Sequence, residues 1–518
     1  MPEHLRALIV LLPVAILVFA LGKRIACPVA IDENDYRRRR NLWFGITLAA
    51  FLSHSFWIFM IFAGALLVWG ARREQNKLAL YFFLFFAMPM MAERVPGFGV
   101  INYFFEIHYG RLLSLVLLLP LFLSAGSAKE PRVKFGRHVQ DKLLLAYLAL
   151  LFMLQLNVDT FTNTLRHSVF YAFLDVFLPY YVASRSLRSL KDFHDVLMSL
   201  VVGCMVLAAV ALLEWGRGWL LYAPLENALG IVWAYGNYLG RGDFLRAVGT
   251  TGQPIALGYA LVTAFALFLS FGRSIKRPVF WHAGLAVLAV GLLASMSRAP
   301  WLGAALVLLV FMITSPHALM NLARLAVLAA IALMALAATP AWEKIIDYLP
   351  FVGSVDAENV TYREFLLYAI INIILDNPLF GSYEAMLYLQ EFRTGEGIVD
   401  IVNTYLGIGL ESGLTGLSLF VGFFFISGYG VYRAMRRHPL DSEMRYLGRA
   451  LLAALVGVLF IIFTVSSITV IPYIYWSLAG MAVAYIRLAT GAARDIAVTI
   501  PMPQVSWQRP SKPVAGAA

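Results

Sequence analysis

Charged residues are scarce in this chain. Asp, Glu, Lys and Arg make up 14% of its 518 residues, too few to coat a soluble surface of that size. Cysteine is nearly absent: Cys27 and Cys204 lie in or beside apolar segments and form neither a disulfide framework nor a metal pattern. Also missing are the HExxH helix, the Walker A loop, the dinucleotide-binding fingerprint and the GxSxG nucleophile elbow. Zinc-peptidase, P-loop, Rossmann and serine-hydrolase chemistries are thereby set aside, and no cofactor or metal is expected. No repeat of fixed length is present.

What the chain has in abundance is apolar sequence: 61% of residues are hydrophobic and the mean hydropathy is +0.76. Run after run approaches the roughly 20 residues that span a bilayer. The expected fold class is all-α, a polytopic transmembrane helical bundle of about 12–14 helices, with a large external loop carrying amphipathic helices. The first run, Leu5 to Gly22, lacks a small-residue cleavage site and reads as a retained helix. Asn41 to Gly70 is long for one span. It reads as one tilted helix or as a short hairpin broken near Ser53-His54-Ser55, and the single span is preferred. Further spans fall at 78–92, 111–126, 142–157, 169–183, 196–213, 254–272, 279–295, 300–314, 323–339, 402–430, 447–470 and 472–489, which places both termini inside.

The net charge of +11 admits a nucleic-acid reading, but the cations concentrate in short loops: Arg72-Arg73, Lys129 to Arg137, Arg185 to Lys191, Arg273 to Arg277 and Arg433 to Arg449. Alternating spans put all of these on one side, the cytoplasm by the positive-inside rule, so no nucleic-acid partner is expected. The opposite side receives 93–110, 158–168, 214–253, 296–299 and 340–401. A single span over 41–70 leaves Arg37 to Arg40 outside, against the rule. The organisation reads as N-terminal transmembrane helices (1–213), a central region with its long loop 340–401 (214–431), C-terminal helices (432–490) and a proline- and alanine-rich tail (491–518) read as disordered and cytoplasmic.

Polar residues cluster in the external segments. Residues 215–254 combine Trp215, Trp219, Trp233, Tyr235 and Tyr238, suited to a membrane interface or to sugar rings, with Arg241, Arg246 and the turn GTTGQP. Glycines there would let backbone amides and arginines approach a phosphate together. SMSRAP, Ser295 to Pro300, makes a tight turn bearing Arg298. Thr361 and Glu364 have capping-box spacing, opening a helix that Pro378 ends near Asp376. Arg363, Leu367, Ile370 and Ile374 share one face of it, as on a helix lying along a membrane surface. The acidic candidates are Glu364, Glu384, Glu391, Glu396, Asp400 and Glu411. Asp400 and Glu411 sit where a helix enters or crosses the bilayer, a costly place for an ionisable group. Asp400 has two possible roles, a cap for a helix starting near Ile401 or a base.

Four stretches in order, RAVGTTGQPIALG, SMSRAPWLGAALVLLV, TYREFLLYAIINIILDNPLFGSYEA and VNTYLGIGLESGLTGL, resemble the O-antigen ligase and O-antigen polymerase (Wzy-type) superfamily of bacterial inner-membrane glycan transferases. The resemblance covers Arg241 to Phe425. It implies transfer of a glycan from undecaprenyl diphosphate at the periplasmic face, with Arg246, Arg298 and Arg363 on the lipid diphosphate. The partners it implies are that lipid-linked glycan, membrane lipid, chain-length regulators and export proteins. Ligases of this kind carry a histidine just before the asparagine of the last stretch. Here Val402 precedes Asn403, which favours a polymerase and leaves Asp400 as the nearest base. The expected function is therefore polymerisation of lipid-linked repeat units by an inverting, metal-independent glycosyltransferase. Transfer to lipid A core or another acceptor is the alternative, and a lipid-linked glycan flippase is the rival of another class. The scarcity of charge within the spans argues against the flippase.

Overall fold

The computed structural model describes residues 1–499 except 100, 125–133, 234–236, 340–356, 383–384 and 393–400; the side chains of 332, 336, 357–363, 386–387 and 492–499 also fall outside the description. Among the described residues the chain is an all-α bundle with two small two-stranded ribbons, Ala92–Pro96 with Tyr103–His108 and Gly240–Arg241 with Phe244–Leu245. Seven helices are long and apolar enough to cross a membrane: Glu3–Ala26, Val139–Leu156, Leu190–Arg217, Pro254–Phe271, Ala318–Ala335, Thr404–Met435 and Glu443–Thr464. Shorter apolar helices at Phe56–Ala71, Tyr109–Leu123, Pro278–Ala294 and Arg298–Ile313 complete a multi-pass arrangement.

A set of ion pairs around Arg39 and Arg185 marks one end of the bundle. The fully buried Arg39 guanidinium binds Glu74 at 2.8 Å and Asp195 at 2.5 Å, and Arg38 binds Glu74 at 2.7 Å. Arg185 meets Asp141 at 2.5 Å. Each of these buried charges is thus paired, which offsets the cost of burying it. These contacts gather the cationic loops predicted to share a side, and they include Arg38 and Arg39.

That inclusion corrects the preferred reading of 41–70 as one span. The chain forms two helices, Glu33–Leu52 and Phe56–Ala71, separated by extended backbone at Ser53 and Ser55. They are antiparallel: Gly70 lies against Leu42, and Gly45 against Leu66. A Cβ on Gly70 would stand 2.3 Å from Leu42 Cδ1, so glycine permits the close approach. The hairpin changes the direction of the first helix. Glu3 lies at the end opposite the ion pairs, where Trp219 Nε1 donates to its carboxylate at 3.0 Å and the His4 ring meets that of His54. The last helix, Ile471–Thr499, passes Leu187 and His438 of the basic end through Arg487 and Ala489. The first and last helices therefore point the termini toward opposite ends, not the same one. That last helix also runs through 491–499, expected as tail; residues 500–518 lie outside the described residues.

The span expected at 78–92 is a second departure. Its helix, Lys77–Leu84, is capped by the Asn76 side chain and stops halfway. Phe85 to Met88 and Met91 continue as buried, non-helical chain. Non-helical backbone at this depth requires protein partners for its polar groups. Tyr109 Oη donates to Leu84 O at 3.1 Å, and Thr250 Oγ1 to Phe86 O at 3.1 Å.

Candidate functional site

The polar groups at the end opposite the ion pairs are organised by Glu214, a residue that sequence reasoning passed over. It closes the helix Leu190–Arg217 and is 1% exposed. Its carboxylate accepts from the backbone N–H of Leu221 at 3.0 Å, Val248 at 3.0 Å and Gly249 at 2.8 Å. One side chain thus ties the loop after its own helix to the RAVGTTGQP stretch. Gly249, at φ +55 with Leu207 pressed against it, leaves no room for a Cβ. The Val248 and Gly249 amides are thus committed to Glu214, while the two arginines of this stretch, Arg241 and Arg246, engage elsewhere.

Those arginines converge on the SMSRAP turn. Arg241 Nη1 donates to Met296 O at 2.6 Å, and Arg246 Nη2 to Ser297 Oγ at 3.0 Å. Ala247 N–H donates to Ala294 O at 3.1 Å. The turn is tight, with Met296 at φ +46 and the buried Ser295 and Ser297 hydroxyls closing it onto Leu292 O and Ser295 O. Arg298 opens the next helix, Arg298–Ile313. Arg241 and Arg246 are therefore each brought to the turn preceding Arg298 although 55 positions separate Arg241 from Met296 and 51 separate Arg246 from Ser297.

The third and fourth stretches also meet. The helix Thr404–Met435 breaks at Gly413, at φ 64 and ψ −168. NPLFG enters the break: Ser382 N–H donates to Leu410 O at 2.8 Å, Leu414 N–H to Pro378 O at 2.8 Å and Thr415 N–H to Leu379 O at 3.2 Å. Backbone freed by the kink is satisfied by backbone from the turn. Beside it Leu366, Ile370, Ala385, Leu389, Ile401 and Leu410 form a small separate core.

Residues 283–421 match the family model described as O-antigen ligase. The chain carries an O-antigen ligase domain. No curated protein matches the chain. The domain includes the SMSRAP turn, NPLFG and the Gly413 kink, and it supports membrane glycan transfer of the O-antigen ligase/polymerase type. Arg241, Arg246 and Glu214 precede the matched segment; the two arginines reach it at Met296 and Ser297.

Within the O-antigen ligase domain several expectations are corrected. The helix predicted to open at Thr361 runs over Ala357–Asp376, so Thr361 is interior to it and not at its start; the stop at Asp376 stands. Its inward stripe is Leu366 and Ile370, with Ile373 and Ile374 packed beside them, and Leu367 is exposed. The Arg363 side chain lies outside the described residues. The helix after the long loop begins at Thr404 and not near Ile401. Asn403 caps it, accepting from the N–H of Tyr405 at 2.9 Å and of Leu406 at 3.2 Å. Glu384, Glu396 and Asp400 lie outside the described residues. Glu391 is exposed in the turn Gln390–Phe392, and Glu411 is exposed beside the kink.

Asn403 is continuous with a polar ladder. Thr404 donates through N–H and Oγ1 to Val465 O at 3.0 and 2.7 Å, and Ser467 Oγ stands 2.9 Å from Tyr475 Oη. Two residues earlier, Tyr473 donates to Asp175, which also binds Arg111 at 2.8 Å. Asp175 belongs to Leu165–Phe177, a π-helical stretch of 13 residues, a geometry enriched at functional sites. Arg111 stacks on Tyr171 at 3.5 Å, and Arg166 on Tyr103 at 3.8 Å. The His108 ring packs edge-on to Tyr473 at 6.2 Å. Burial and the Arg111 cation hold its imidazole well below the usual histidine range. The N-terminal half thus contributes an arginine–tyrosine cluster that no sequence motif announced.

Proposed function

We propose that the protein is a glycan polymerase of the bacterial cytoplasmic membrane, joining undecaprenyl-diphosphate-linked repeat units at the periplasmic face. The observation that carries this reading is the convergence of Arg241 and Arg246 on the SMSRAP turn of the O-antigen ligase domain, at the end opposite the cationic loops. That end is the periplasmic one if the positive-inside rule holds.

In this scheme the acceptor sugar hydroxyl attacks the anomeric carbon of the donor glycan from the face opposite the diphosphate. The carbon–oxygen bond to the diphosphate breaks, and the anomeric configuration inverts. Charge growing on the departing diphosphate is met by Arg241, Arg246, Arg298 and Arg363, and no metal is called on. Preorganised cations aimed at developing charge are a large term in such catalysis, and a guanidinium fork matches phosphate oxygens in a way an ammonium does not. The acceptor proton passes to a carboxylate, with Asp400 in that role. Glu214 holds the arginine-bearing loop in place. Chain-length regulators and export proteins would act on the product.

The test uses the full chain in proteoliposomes with a lipid-diphosphate oligosaccharide. A ladder of longer lipid-linked glycan is expected, falling at least about 100-fold in Arg246→Lys at equal protein level, the scale of losing a charge-assisted pair in the transition state. Glycan appearing only on lipid A core or protein when these are supplied would convert the assignment to a ligase. Movement of the lipid across the bilayer without new glycosidic bonds would overturn it.

A further inference from the structure

Two grooves flank Arg24 at the basic end, far from the site above. The first, 730 Å³, lies between Glu3–Ala26 and Glu33–Leu52. Its wall is apolar (Ile16, Phe19 and Phe44) and its rim carries Lys23, Arg24 and Arg40. The second, 450 Å³, shares Arg24 and adds Lys276 and Arg277 beside Phe280. No carboxylate lines either groove. Lys23 is neutralised by Glu33 at 2.6 Å, and Arg40 turns to the Asn41 side chain at 2.9 Å. Arg24 is exposed, and among the described residues it forms no ion pair. It stands in the last turn of an apolar helix.

We infer that these grooves hold an anionic phospholipid, its acyl chains along the Ile16–Phe19–Phe44 wall and its phosphate between Arg24 and the Lys276–Arg277 pair. The complementarity is specific in both parts. A free phosphate finds the cations but gains nothing from the apolar wall. A zwitterionic lipid fits the wall, but its ammonium would stand beside Arg24, Lys276 and Arg277 with no carboxylate among the lining residues. Basic pockets between helices at the cytoplasmic level have this chemistry.

The test is native mass spectrometry and thermal unfolding of the full chain in a neutral detergent, with phosphatidylglycerol, phosphatidylcholine or inorganic phosphate added. Phosphatidylglycerol is expected to be retained and to raise the unfolding temperature, and phosphatidylcholine to bind at least tenfold more weakly. Phosphate alone should do neither. Arg24→Gln with Lys276→Gln and Arg277→Gln, all at exposed positions, should cut phosphatidylglycerol binding at least tenfold. Arg24→Lys should keep most of it, and the single Arg24→Gln should fall between. Equal binding of both lipids, equal protection by phosphate alone, or full phosphatidylglycerol binding in the single and triple Gln variants would each overturn the site.

Discussion

Replacing Glu214 with leucine removes the acceptor for three buried N–H groups, those of Leu221, Val248 and Gly249. A hydrogen bond to a charged group contributes about 1.5–3 kcal/mol, and a buried donor left unsatisfied costs about 1–3 kcal/mol. The three do not add fully, because the freed loop relaxes toward water. A loss of about 3–5 kcal/mol is expected, localised to the loop and not spread over the bundle. Glu214→Gln is the sharper variant. Its carbonyl oxygen replaces one acceptor, but its amide presents a donor to a donor, so about 1–3 kcal/mol is lost. The readout is limited trypsin digestion at Arg241 and Arg246 in the folded protein. At 1.4 kcal/mol per tenfold, the leucine variant should cleave there on the order of 100-fold faster or more, with glutamine intermediate. Transfer activity should fall in the same order while the protein still inserts. Wild-type cleavage rates in Glu214→Leu would refute the claim that this carboxylate holds the arginine loop.

Gly413→Ala places a side chain at φ 64, ψ −168, a region worth about 1–3 kcal/mol of strain for non-glycine residues. Its Cβ would also lie 2.5 Å from the Leu379 carbonyl, so an unfolding temperature clearly below wild type is expected, together with protease exposure of 377–381. His108 gives a pH signature through the sign of its shift. The folded imidazole resists protonation, whereas the unfolded one titrates near 6.5. The stability it carries is therefore complete above about pH 6.5 and falls by about 1 kcal/mol per unit below it. His108→Gln should flatten that acid limb in thermal unfolding followed from pH 7.5 to 5. For topology, single cysteines in a background lacking Cys27 and Cys204 should label with an impermeant maleimide in intact spheroplasts at Pro2→Cys and Ser382→Cys but not at Ser442→Cys. Labelling at Ser442 in place of Ser382 would reverse the bundle, and silence at Pro2 would refute the hairpin at Ser53–Ser55.

The sequence by itself determined whatever follows from composition and local periodicity. Apolar runs can only become helices in a bilayer, because an isolated strand would leave its backbone unpaired; hence the all-α bundle. Cationic loops sorted to one side because charge is costly to move across the hydrocarbon. The tight turn at Ser295–Pro300 and the helix stop at Asp376 were legible because each depends on a few neighbouring residues. So was the O-antigen ligase domain, from stretches in order.

Tertiary structure decided the rest, and the reason is the same in each case: the deciding partner is remote in the chain. Whether 41–70 crosses once or twice depended on Gly70 fitting Leu42. That the helix at Lys77 stops at Leu84 depended on Tyr109 and Thr250 satisfying its freed carbonyls. Asn403 took the cap once the helix start moved to Thr404, which no local signal distinguished from a start near Ile401. Glu214 read as one more helix-end carboxylate, since two of the three amides it binds lie 34 and 35 residues away. The meeting of Arg241 and Arg246 with the SMSRAP turn required two helices to pack side by side. Local sequence specifies which groups are polar; only packing specifies which polar groups face one another.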